Sequence, residues 1–98
     1  MTPIYERRVV ITIHKYPLEM ADEFTIDMPK DARILSVQMQ RGVPMIWALV
    51  DTTEKEVSHR FALRGTGHDC SGLYYAFVGT FQTGNGLVFH LFDLGDER

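Results

Sequence analysis

At 98 residues and 45% hydrophobic content, the chain is long enough for one domain with its own core and too hydrophobic for a disordered segment. Its formal net charge of −3 excludes the broad attraction to polyanions that duplex nucleic-acid binding needs. A single cysteine excludes an intrachain disulfide, and no apolar run approaches the roughly 18 residues of a membrane span.

Met1 to Arg8 lacks the apolar stretch of a signal peptide, and Arg7-Arg8 precedes a strand pattern instead of a cleavage site. After it the dominant period is two, the pattern of half-buried strands. Val9, Ile11 and Ile13 alternate with Thr12 and His14 up to a break at Tyr16-Pro17-Leu18. Leu18 to Phe24 has room for one helical turn. Phe24, Ile26 and Met28 alternate next, closed by Pro29, whose fixed φ and missing N–H suit a strand end. Leu35, Val37 and Met39 follow, then a hairpin signal at Arg41-Gly42. Met45 to Val50 is apolar on both faces and reads as a central strand. Asp51 to Glu56 is a polar loop. Val57, His59, Phe61 and Leu63 form the next alternating face. Thr83-Gly84-Asn85-Gly86 predicts a hairpin, with Asn-Gly suited to a type I′ turn. Leu87 to Phe92 is a second strand apolar on both faces, and the polar tail from Asp93 is expected to fray. No segment carries a sustained helical period.

These elements predict a single domain over residues 1–98. The expected fold is mainly β, an antiparallel sandwich or small barrel of six to seven strands with little helix. Two strands apolar on both faces are hard to cover in so short a chain, which predicts a homo-oligomer.

The densest chemistry lies in Arg64-Gly65-Thr66-Gly67-His68-Asp69-Cys70. Glycines let backbone amides approach a ligand, and the polar side chains beside them offer charge and hydrogen bonds. An ordinary glycine turn at a strand exit explains the same residues. The spacing is not that of a P-loop, and no helix follows. His90 interrupts the apolar run Leu87 to Phe92 and must find a polar partner there. Thr80 and Gln82 project opposite Phe81 and are candidate hydrogen-bonding groups. Candidate ligand-binding residues are therefore Arg64, Gly65, Thr66, Gly67, His68, Thr80, Gln82 and His90. No catalytic residue, metal ligand or cofactor is assigned. Cys70 with His68 is the one nucleophile pairing the sequence allows, and it lacks an orienting group. His68, Cys70 and His90 lack the paired spacing of a structural zinc site. Trp47 and the aromatics Tyr74, Tyr75, Phe77 and Phe81 are read as core or interface packing.

Several blocks recur together in a known order. They are Lys15 to Glu19, Met28-Pro29, Ile34 to Gln38, Gly42-Val43-Pro44, Trp47 to Asp51, Gly65 to His68, Val78 to Gln82 and Leu87 to Phe92. Over roughly Lys15 to Phe92 the chain resembles a family of small phage and prophage proteins, a domain of unknown function. The resemblance implies expression in the cytoplasm of a bacterial host and brings no assigned activity or catalytic residue. By analogy with small phage proteins, the expected function is non-enzymatic binding. The ligand would be a small anion, such as a signalling nucleotide of host antiviral defence. The alternative is a protein-interaction module that inhibits or recruits a host protein, predicting an exposed apolar or acidic patch with no pocket of useful volume. A small hydrolase is the third reading. No duplex nucleic acid and no membrane partner is expected.

Overall fold

The computed structural model describes residues 9–97. The reading of Met1 to Arg8 lies outside them. Seven strands are present among the described residues: β1 (Ile11–Pro17), β2 (Glu23–Pro29), β3 (Arg33–Gln40), β4 (Val43–Asp51), β5 (Glu56–Gly65), β6 (Phe77–Gln82) and β7 (Val88–Asp96). A single 3-10 turn, Tyr74–Ala76, leads into β6. Three strands form one antiparallel sheet in the order β1-β4-β3; four form the other in the order β2-β5-β7-β6. The sheets pack as a sandwich and neither closes on itself, so of the two expected architectures the sandwich is the one formed. Among the described residues no helix is long and apolar enough to cross a membrane.

The core lies where the inward positions of the two sheets meet. Phe61, Met28, Ile46 and Leu91 are fully buried there. Each such side chain contributes about 1.5–3 kcal/mol relative to exposure. Phe24 stacks on Phe61 with ring centroids 5.3 Å apart. β4 and β7 are central strands, as their apolar runs predict. β1 is an edge strand, and both Ile11 and Ile13 face solvent.

Three register shifts bend the strands. The β3–β4 ladder skips Leu35, the β6–β7 ladder skips Val78, and the β5–β7 ladder skips Leu94. Each is a β-bulge, one extra residue that increases local twist and re-aims neighbouring side chains.

Several local expectations change. Leu18 to Phe24 forms no helical turn, because the Leu18 side chain is buried and its N–H donates to the Pro44 carbonyl at 3.1 Å. Arg41 and Gly42 both have positive φ, 50° and 81°, as a two-residue primed hairpin requires. In the β6–β7 hairpin only Gly86 does, at 85°, so the turn is not type I′. The loop is longer than two residues, and Asn85 uses its side-chain oxygen to accept from Thr83 Oγ1 and the Leu87 amide. The polar tail does not fray at Asp93. β7 runs on to Asp96, and Glu97 N–H donates to the Ser58 carbonyl at 2.7 Å. Tyr74, Tyr75 and Phe77 stand in solvent, because the 3-10 turn ends the period of two; Phe81 alone of the four is buried.

Candidate functional site

The turn after β5 and the last hairpin meet at His90. Arg64, His90 and Thr80 are register partners across β5, β7 and β6, one cross-strand row. Thr80 Oγ1 lies 2.8 Å from His90 Nδ1, and Thr66 Oγ1 lies 2.9 Å from Nε2. Hydroxyls both donate and accept, so this clamp satisfies the ring in either tautomer. The predicted Thr66, Thr80 and His90 are thus brought together.

The other candidates turn elsewhere. Arg64 Nη1 donates to the carbonyls of Asp22 at 2.7 Å and Leu63 at 3.0 Å, and Nε to that of Asp69 at 3.1 Å. The guanidinium ties β5 to two neighbouring loops, and those donors are not directed at a ligand. The amides of Thr66 and His68 donate to the Val88 and Gly65 carbonyls. The His68 ring lies over Gly65, where a Cβ would meet its Cε1 at 3.1 Å; glycine is what lets the ring close down. Gly67, at φ 90°, forms the bend itself. Gln82 Nε2 reaches its own hairpin, the Gly86 carbonyl, at 3.4 Å. Asp69 Oδ1 accepts from Ser71 Oγ at 2.5 Å and Ser71 N–H at 2.9 Å, which holds its carboxyl below the ordinary carboxylate range. Cys70 Sγ faces the His68 carbonyl at 3.6 Å and not the imidazole, so no thiol–imidazole pair is assembled.

A second constellation lies deeper. His59 projects from β5 into the core face and is 2% exposed. Its Nε2 lies 2.5 Å from Asp93 Oδ1, and its Nδ1 lies 3.0 Å from Asp96 Oδ1. The first is an aligned hydrogen bond; the second is a close ionic contact that misses hydrogen-bond alignment. Asp93 Oδ1 also accepts from Gly95 N–H, and Asp96 Oδ2 from Asp31 N–H, each at 2.9 Å. The ring stacks on Phe61, centroids 4.9 Å apart. Only a ring with both nitrogens protonated donates toward both acids. No motif in the sequence announces this trio. Its one signal is a histidine on the apolar face of Val57, Phe61 and Leu63; its acid partners sit in a segment that reads as polar tail.

Asp93 is 29% exposed on its side chain, against 5% for Asp96. Asp93 lines an open cleft of about 340 Å³ together with Leu35, Tyr75, Phe77 and Val78, among others. Tyr74 and Tyr75 are 78% and 77% exposed, and Phe77 is 54% exposed. The two tyrosine rings meet edge to face at 4.6 Å.

Residues 10–98 match the profile of a domain of unknown function, DUF7352. The chain belongs to that family. No curated protein and no solved structure matches it. The family description carries no activity, so a functional reading has to come from the geometry of the site itself.

Proposed function

We propose that this DUF7352 protein is a non-enzymatic interaction module that docks a partner protein through the ridge of Tyr74, Tyr75 and Phe77. The observation that carries this is the exposure of three neighbouring aromatics over an open cleft. Exposed aromatic clusters mark interaction surfaces, and tyrosine is enriched among residues that dominate binding energy. A second reading, capture of a small anionic ligand, draws support from the Thr66–His90–Thr80 array. It is weaker because Arg64 directs its donors to backbone carbonyls. A phage or prophage setting and a host protein as partner belong to the first reading and rest on the family resemblance. A second copy of the chain is a further occupant that the apolar strands β4 and β7 favour.

The test is capture from bacterial host lysate by three proteins: wild type, a Tyr74→Ala/Tyr75→Ala variant, and a Thr66→Val/Thr80→Val variant. A stoichiometric polypeptide should be held by wild type and the threonine variant and lost by the tyrosine variant. Equal retention by all three would remove the ridge as the docking surface. A small molecule retained in native mass spectrometry and lost only from the threonine variant would establish the second reading.

A further inference from the structure

We infer that the outer edge of β1 is a self-pairing surface, where a second copy of this chain adds its own β1 antiparallel about a two-fold axis at Ile13. This goes beyond the docking reading and does not use the aromatic ridge.

β1 ends its sheet, with β4 on one side only. Two contacts that flank their ladder fix its phase. Thr52 N–H donates to the Val10 carbonyl at 2.9 Å, and Leu18 N–H to the Pro44 carbonyl at 3.1 Å. Both continue the register in which Thr12 faces Val50, His14 faces Ala48 and Tyr16 faces Ile46. Hydrogen-bonded pairs alternate along an antiparallel ladder. Thr12, His14 and Tyr16 therefore direct their backbone groups at β4, and Ile11, Ile13 and Lys15 direct theirs to the open side.

The other edges are guarded. β3 and β6 carry the register shifts at Leu35 and Val78, and β2 exposes Glu23 and Asp27. Bulges and charges are the devices that keep a sheet edge from pairing. The β1 ladder runs without a shift. Its one charged residue, Lys15, donates from Nζ to Gln40 Oε1 of β3 at 2.6 Å, which draws the ammonium across the sheet and away from the open edge. What remains at that edge is Ile11 and Ile13, 55% and 54% exposed. Branched side chains of this kind suit a strand that packs beside another.

The edge is also complementary to itself. A two-fold axis at Ile13 sets Ile13 against the partner's Ile13, and Ile11 against the partner's Lys15. The three outward amides of each copy then meet outward carbonyls, and no like charges face each other. On the other face Thr12 meets the partner's His14, a hydroxyl against an imidazole. The two three-stranded sheets become one continuous sheet. The seam of one strand pair is small beside the roughly 1,200 Å² of a stable interface, so pairing is reversible and depends on concentration. In dilute solution β1 keeps its β4 ladder alone.

Sedimentation equilibrium of the full-length protein should show a monomer–dimer equilibrium. Ile13→Lys and Ile13→Glu should each weaken the dimer about fivefold or more, because like charges then face each other on the axis. An equimolar mixture of the two variants should recover dimer, since opposite charges meet there. Ile13 is more than half exposed, so both variants should keep the fold, which circular dichroism checks. Hydrogen exchange on the wild type reads the same seam without a substitution. The amides of Ile11, Ile13 and Lys15 should exchange freely when dilute and gain protection as concentration rises. A chain that stays monomeric up to about 1 mM overturns the pair. Single variants that dimerise like wild type, or a mixture that does not recover, overturn the two-fold axis at Ile13. Protection of the three amides that persists at the lowest concentration places their cover within one chain and overturns the inference.

Discussion

Replacing His59 by leucine isolates the ionic chain at the heart of the sandwich. The volume is roughly kept, but Asp93 and Asp96 lose the group that separates and bridges them. Breaking a buried ionic contact by removing one partner costs about 3–5 kcal/mol. The partial exposure of Asp93 places the expected loss near the lower end, about 3 kcal/mol. A domain of this size has about 5–15 kcal/mol in total. The loss corresponds to a melting temperature lower by roughly 12–24 °C. In urea the midpoint falls by roughly 1–3 M. Urea unfolding followed by circular dichroism and by Trp47 fluorescence measures it. The second arm adds Asp93→Asn and Asp96→Asn to His59→Leu. The amide oxygens still accept from the Gly95 and Asp31 N–H groups, while both charges are gone. This triple variant should recover at least about half of the loss, since uncompensated charge is the larger part of the penalty. A His59→Leu protein that unfolds at the wild-type midpoint would refute the argument. So would a triple variant no more stable than the single one.

Neighbouring features give further expected outcomes. At Gly79 an added Cβ would stand 3.2 Å from Val37 Cγ1 across the two sheets, so Gly79→Ala should destabilise by about 1–3 kcal/mol. Val37→Ala in the same chain should relieve part of the Gly79→Ala cost, measured as a double-mutant cycle. Thr66→Val and Thr80→Val should each cost about 1 kcal/mol, and the His90 ring signals in an NMR spectrum should move in both. Ionised Asp69 is favoured by its Ser71 bonds, so its contribution is complete above the ordinary carboxylate pKa and is lost as pH falls through the lowered folded value. The Ser71 amide shift should therefore titrate with a midpoint below that of a free aspartate. Ser71→Ala should move the Asp69 midpoint upward.

Much of the sheet is legible in the sequence because it obeys a local rule. Period-two runs mark β2, β3 and β5, and doubly apolar runs mark the central strands β4 and β7. The convergence of Thr66 and Thr80 on His90 is legible as a set of candidates, since a histidine inside an apolar run has to find hydroxyls or carbonyls. What Arg64 does is not, because its acceptors are backbone oxygens, one of them at Asp22, which no side-chain pattern announces. The aromatic cleft escapes for a related reason. Leu35 fits its strand pattern, and nothing in that pattern announces the register shifts at Leu35 and Val78, two of the residues that line it. His59 and Asp93 lie 34 residues apart, and both of its acids read as ordinary polar tail.

The edge position of β1 makes the domain uneven in its resistance to opening. Its hydrogen-bond ladder joins it to β4 alone, and most of its side chains stand in solvent. Tyr16 is its inward anchor, packed against the core, its phenol pKa raised by burial and then by the charge of Glu56. A strand held this way can peel off without dismantling the packed interior, at a free energy well under that of global unfolding. Amide hydrogens of β1 should exchange fastest among the strands, and those of β5 and β7 slowest. Each opening uncovers a fresh row of β4 donors and acceptors. The same event that loosens one chain therefore offers a template for pairing with another, so the mobility of β1 would govern the protein's tendency to exchange strands between copies.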